Sequence, residues 1–106
     1  MITIDEFRKL ELRVAEIKDV SEHPQADRLY VITIDLGGKL KQIVAGIKNY
    51  YQKESLIGKQ VVVVDNLEPA LLRGVESFGM LLAAQDEQGI CIVSPERKMT
   101  PGSIVK

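Results

Sequence analysis

The chain is predicted to be all-β with short helices, folded as a five-stranded Greek-key barrel with an extension at each end. Three observations predict this. Segments rich in Ile, Val, Leu and Tyr follow one another up to Ile47; one interval, Lys48 to Gly58, nearly lacks β-branched residues; and strand-like segments resume at Gln60 and run to Val93. Three strands, one helix and then more strands is the element order of the OB-fold, whose helix lies between the third and fourth strands. At 106 residues the chain has the length of a single domain, so residues 1–106 are expected to fold as one unit.

Each element has a local reason. Thr3 and Glu6 have the spacing of a capping box, and Ile4, Phe7 and Leu10 follow at helical intervals, so a short helix is expected from Thr3 to Lys9. Leu10, Leu12 and Val14 then alternate with Glu11 and Arg13, but Ile17 and Val20 are out of phase with them. That slip predicts a bulge in a sharply bent first strand. The segment from Glu22 to Asp27 carries Pro24 and Asp27 and reads as a connection, and Leu29 to Leu36 as the second strand. Gly37-Gly38 supplies a two-residue hairpin turn, after which Leu40 to Ile47 returns as the third strand. Asn49 is placed to cap the internal helix and Gly58 to end it; Tyr50 and Tyr51 would then pack that helix on the barrel. Val61 to Val64 within Gln60 to Asp65 reads as a strand buried on both faces, and Met80 to Gln85 with Ile90 to Val93 as a hairpin. Asn66 to Gly79 is left as a long loop, a common place for a binding function.

Composition removes several function classes. The longest apolar runs, such as Met80 to Ala84, fall far short of the ~20 residues of a membrane-spanning helix. The N-terminus has acids where a signal peptide has basic residues, so a cytoplasmic protein with no membrane partner is expected. A single Cys91 permits no internal disulfide and reads as a small core hydrophobe. A single His23, next to Pro24 at a turn, reads as structural, and no metal, cofactor or catalytic residues are expected. Net charge is −1, but it is unevenly spread: residues 37–64 hold five bases and one acid, and residues 95–106 three bases and one acid. The basic middle is the part suited to an anionic partner.

Specific words then appear along the chain: Leu12-Arg13-Val14, His23-Pro24-Gln25-Ala26-Asp27-Arg28-Leu29-Tyr30-Val31, Ile43-Val44-Ala45-Gly46-Ile47, and Leu72 to Ala84 with its Ser77-Phe78-Gly79-Met80 core. Together they resemble the tRNA-binding domain found at the C-terminus (or as the beta subunit) of methionyl-tRNA synthetases and as a small free-standing tRNA-binding protein. The resemblance runs from about Ile4 to the last residues. It implies an OB-fold that forms a homodimer and holds the outer corner of the tRNA L by shape, with tRNA as partner and a methionyl-tRNA synthetase catalytic region as a further one.

The resemblance implies RNA contacts residue by residue. Arg28 stands where the family carries a base after Ala-Asp, and Ser77 and Met80 match the Ser-x-Gly-Met spacing at the loop's end. Asn66 and Arg73 flank the long loop with an amide and a guanidinium fork. Lys39 and Lys41 sit beside the hairpin turn that borders the binding face of this fold. Phe78 is a departure, since many relatives carry a polar residue there, most often Gln. The composition fits a folded RNA target, because five aromatic residues are few for base stacking, whereas 2′-hydroxyls and phosphates are read by basic and small polar side chains. The alternative of the same fold is a dimeric secretion chaperone that binds polypeptide. The tRNA-binding-like domain of phenylalanyl-tRNA synthetase, which usually sits in a much longer chain, is a further explanation of the resemblance.

Overall fold

The computed structural model describes all 106 residues. Five strands build the barrel, in the order β3 (Leu40–Ala45), β2 (Tyr30–Asp35), β1 (Leu12–Glu22), β4 (Gln60–Val64) and β7 (Met80–Leu81). β1 (Leu12–Glu22) is its long bent spine. Its first half pairs with β4 (Gln60–Val64) from Leu12↔Val64 to Glu16↔Gln60, and its second half with β2 (Tyr30–Asp35) from Glu16↔Asp35 to Glu22↔Tyr30. The register slips between Ile17 and Asp19, which turns both Ile17 and Val20 into the core. This is the bulge expected from their broken alternation.

β2 and β3 (Leu40–Ala45) form the predicted hairpin. Gly37 and Gly38 both adopt left-handed backbone (φ 91° and 88°), and the Asp35 carboxylate accepts a 2.9 Å bond from each of their N–H groups. The barrel closes where β3 meets the segment before β7 (Met80–Leu81): the Phe78 N–H donates to the Gln42 carbonyl at 2.9 Å. Ile17, Ile32, Ile34, Ile43, Val61 and Val63 meet in the interior, and Leu56 of α2 (Lys53–Leu56) plugs it.

The structure corrects several expectations. α1 (Ile4–Phe7) keeps the capping box, with Thr3 Oγ1 accepting from Glu6 N and Glu6 Oε1 from Thr3 N, each at 3.1 Å, but it is a single turn and does not reach Lys9. α2 is also one turn, and Asn49 does not cap it; Gln52 occupies that position. Both Tyr50 and Tyr51 precede α2, because their N–H groups turn back onto the Ile47 carbonyl. Tyr51 still packs as expected, its hydroxyl accepting from Ile92 N at 3.0 Å, whereas Tyr50 is exposed. The segment Asn66 to Gly79 contains a second hairpin, β5 (Ala70–Leu72) with β6 (Val75–Ser77). The strand expected from Met80 to Gln85 is split at Leu82, and β8 (Ala83–Asp86) pairs with β9 (Gly89–Ile92) as a separate hairpin. Cys91 is exposed, because β9 turns Ile90 and Ile92 inward and leaves the residue between them outside.

The C-terminal tail belongs to the sheet. β10 (Ile104–Val105) pairs with Leu12 and Arg13 on the side of β1 that β2 leaves free. The tail therefore covers its own barrel, and α1, which buries none of its residues, does not.

Candidate functional site

The β5–β6 hairpin lies across one end of the barrel and is held there by three polar anchors. Ser77 Oγ accepts from Val44 N at 2.9 Å and donates to the Gly79 carbonyl at 2.8 Å. Gln42 Nε2 donates to the Glu76 carbonyl at 2.8 Å. His23, buried at the end of β1, accepts at Nδ1 from Gln25 N (3.0 Å), so its proton sits on Nε2 and is donated to the Leu72 carbonyl at 2.9 Å. His23 is structural, as its place beside Pro24 suggested. His23→Ala should lower stability by roughly 2–3 kcal/mol, because both bonds go and the Leu72 carbonyl loses its partner. A thermal melt followed by circular dichroism checks this; an unchanged midpoint would show that the hairpin is held elsewhere.

These anchors bring the hairpin tip to the connection between β1 and β2. Arg73 and Gly74 form the tip, both in left-handed backbone (φ 52° and 89°), and Arg73 is the only residue other than glycine with a positive φ. That conformation costs an arginine about 1 kcal/mol. Its guanidinium Nη2 donates to the Gln25 carbonyl at 3.2 Å. Arg28 lies across an open cavity of about 370 Å³ that both arginines line, together with Gln25, Ala26, Asp27 and Leu29.

Neither arginine takes part in an ion pair, while the neighbouring lysines do: Lys48 Nζ lies 2.7 Å from Glu22 and Lys53 Nζ 3.9 Å from the same carboxylate. The hydrogen bond to Lys48, and then the charges of Lys48 and Lys53, hold the Glu22 carboxyl below its ordinary range. The same bond to Glu22 raises Lys48. Charge left for a ligand at this end of the barrel is thus concentrated on Arg28 and Arg73, two fork-shaped donors suited to phosphate oxygens.

The other residues singled out in the sequence lie elsewhere or are occupied. Lys39 is exposed but sits at the far end of the β2–β3 hairpin from Arg28. Lys41 is mostly covered, bonded to the Asp65 carboxylate and, at 2.8 Å, to the Asp65 carbonyl. Asn66 staples the N-terminal segment: its Oδ1 accepts from Glu11 N at 2.8 Å and its Nδ2 donates to the Lys9 carbonyl at 2.7 Å. Ser77 is buried, so the residue expected to face RNA instead locks the hairpin to β3. Met80 is half-exposed on β7. The Gln25 carbonyl, which orients Arg73, had no signal in the sequence, because a main-chain acceptor is independent of side-chain type.

Residues 12–104 match the family model described as "Putative tRNA binding domain". The chain belongs to this family. Among relatives of this tRNA-binding domain, the methionine–tRNA ligase of Thermococcus kodakarensis is 50% identical over 105 residues, 99% of this chain and 14% of the ligase. That of Nanoarchaeum equitans is 47% identical over 106 residues, again 14% of its length. The chain therefore spans about one-seventh of these relatives. A MetRS related protein from Pyrococcus horikoshii superposes with a TM-score of 0.92 at 31% identity, covering 100% of this chain and 98% of that one. The CsaA chaperone protein of Picrophilus torridus superposes with a TM-score of 0.93 at 31% identity, covering 100% of both chains. The fold of this tRNA-binding domain is thus common to proteins described as synthetase-related and as chaperones, so backbone shape does not separate the two descriptions.

Proposed function

We propose that the chain is a non-catalytic module that binds the outer corner of folded tRNA, as the C-terminal part or beta subunit of a methionyl-tRNA synthetase or as a free-standing protein. The observation that carries this reading is the convergence of Arg28 and Arg73, free of ion pairs, on one cavity. Arg73 keeps a backbone conformation that an arginine adopts only at a cost, which fits a residue retained for its side chain. Phosphates and 2′-hydroxyls suit such donors. Family membership and the 50% identity to a methionine–tRNA ligase point the same way. The aromatic side chains are mostly occupied: Tyr30 is buried, and Phe7, Tyr51 and Phe78 are half-buried. A binder that stacks unpaired bases would want such rings free. Lys39 and Met80, both exposed, remain available to the same ligand at the edges of the barrel.

A dimer completes the reading. α1 buries none of its residues; Met1, Ile2, Ile4 and Leu10 are exposed, and Phe7 and Leu10 line one cavity with Ile104 of β10. A single helical turn with an open apolar face gains little by itself. The same face on a second copy covers it by two-fold symmetry and doubles the basic surface offered to one RNA.

The test is a gel-shift titration of tRNA against an unstructured RNA of equal length, with light scattering for assembly. Expected are preference for tRNA and a particle of twice 11.8 kDa. Equal affinity for the unstructured RNA would overturn the tRNA reading, and a monomer that binds tRNA tightly would overturn the dimer. The superposition on CsaA favours a second reading, a polypeptide-binding chaperone. Tight binding of an unfolded polypeptide with no binding of tRNA would establish it in place of the first.

A further inference from the structure

Eight of the fourteen Lys and Arg residues take no part in an ion pair with a carboxylate. Five of the eight gather at two cavities. Arg28 and Arg73 line the first. Lys59, Arg97 and Lys98 line the second, an open cavity of about 380 Å³ floored by Gly58, Gln60 and Ser94. Glu96 is the one carboxylate in its wall.

The cation-bearing loop is built into the fold. Before it, the Val93 carbonyl accepts from Val62 N at 2.9 Å. After it, the Gln60 side-chain amide grips the main chain of Met99 twice, Oε1 accepting from Met99 N at 2.9 Å and Nε2 donating to the Met99 carbonyl. Both ends of residues 94–98 are thus tied to β4. On the other wall Lys59 is set by its carbonyl, which accepts from Ile17 N at 2.8 Å. Lys59 Nζ lies 6.0 Å from the centre of the Tyr51 ring, and none of the three cations meets a carboxylate within ion-pair distance. Cations lining one cavity repel one another unless an anion joins them, and arginine and lysine donors in an open polar cavity suit a phosphate group.

We propose that Lys59, Arg97 and Lys98 form a second phosphate site, which takes a backbone phosphodiester of the same folded RNA that Arg28 and Arg73 hold. The proposal rests on the tRNA-binding reading above. Glu16 pairs with Gln60 beside this site, while Arg28 and Arg73 lie beyond Glu22. About six residues of β1 run between the two sites, at most roughly 20 Å at strand rise and less where the strand bends at its bulge. A rigid folded RNA can span that distance, and with one site filled the second binds at high effective concentration.

The experiment uses the intact chain and a tRNA transcript, with affinity measured across a range of salt concentrations. Arg97→Gln with Lys98→Gln should weaken tRNA binding about tenfold and flatten the dependence of log affinity on log salt by about 1–2, near one unit per phosphate contact. Glu96→Gln should tighten binding several-fold, because it removes the opposing carboxylate. Exchanging the two cations for each other, Arg97→Lys with Lys98→Arg, should stay close to the unmodified chain. Unmodified affinity and slope in the double glutamine variant would overturn the second site while leaving the tRNA reading intact. If the unmodified chain itself binds no tRNA, the proposed function falls and this site falls with it.

Discussion

Replacing Arg28 and Arg73 together with alanine should lower tRNA affinity by at least about thirtyfold, at roughly 1–3 kcal/mol for each charge-assisted contact, and leave the melting temperature close to its starting value. Both side chains are exposed, and the one bond lost within the chain is from Arg73 to the Gln25 carbonyl. Arg73→Asn is the sharper single change. Asn-Gly is the favoured pair for a hairpin turn in which both central residues are left-handed, and Arg73-Gly74 occupies such a turn. The variant should therefore melt a few degrees higher while binding tRNA more weakly. Opposite shifts in stability and affinity would mark a residue kept for its ligand. Unchanged affinity in both variants would move the primary contact away from this cavity.

Deleting residues 99–106 should cost the domain much of its stability. Main-chain bonds link the tail to β1, from Val14 N to the Ser103 carbonyl at 2.9 Å and from Gly102 N to the Val14 carbonyl at 2.7 Å. Arg13 Nη1 donates to the Gly102 carbonyl at 3.1 Å, and the Gln60 amide would lose both of its Met99 bonds. At about 1 kcal/mol for each bond, the loss approaches the lower end of the roughly 5–15 kcal/mol by which small domains are stable. Gly102 also lies so close to the β2–β3 turn that a Cβ there would come within 2.5 Å of the Leu36 carbonyl oxygen, and its φ is 92°, so Gly102→Ala should reproduce part of the deletion. Removing residues 1–8 should behave differently, because only Phe7 of that segment is even half-buried: the melting temperature falls little and the dimer is lost. Circular dichroism melts with light scattering separate the two deletions. A tail deletion that melts like the intact chain would make the tail peripheral, and an N-terminal deletion that stays dimeric would place the interface elsewhere.

Much of this arrangement is legible in the sequence because it is set by signals that act over a few residues. The break in alternation at Ile17 and Val20 is a bulge, Gly37-Gly38 is a turn, and four consecutive valines form a strand buried on both faces. Arg28 and Arg73 could be singled out by type and by family words, but nothing local states that they share a cavity. That depends on His23 bonding Leu72 and on Ser77 bonding Val44, contacts between segments far apart in the chain.

By itself, then, the sequence determined the element order, the barrel, the capping box and the family, all of which follow from side-chain period, turn chemistry and ordered words. Tertiary structure alone decided which polar residues remain free for a ligand. A hydrogen-bonding group has few partners to spend, and whether it spends them inside the chain depends on what the fold brings beside it. Lys41 meets Asp65, Asn66 meets Lys9 and Glu11, and Ser77 meets β3, while Arg28, Arg73, Lys59, Arg97 and Lys98 meet no carboxylate within ion-pair distance and line two open cavities.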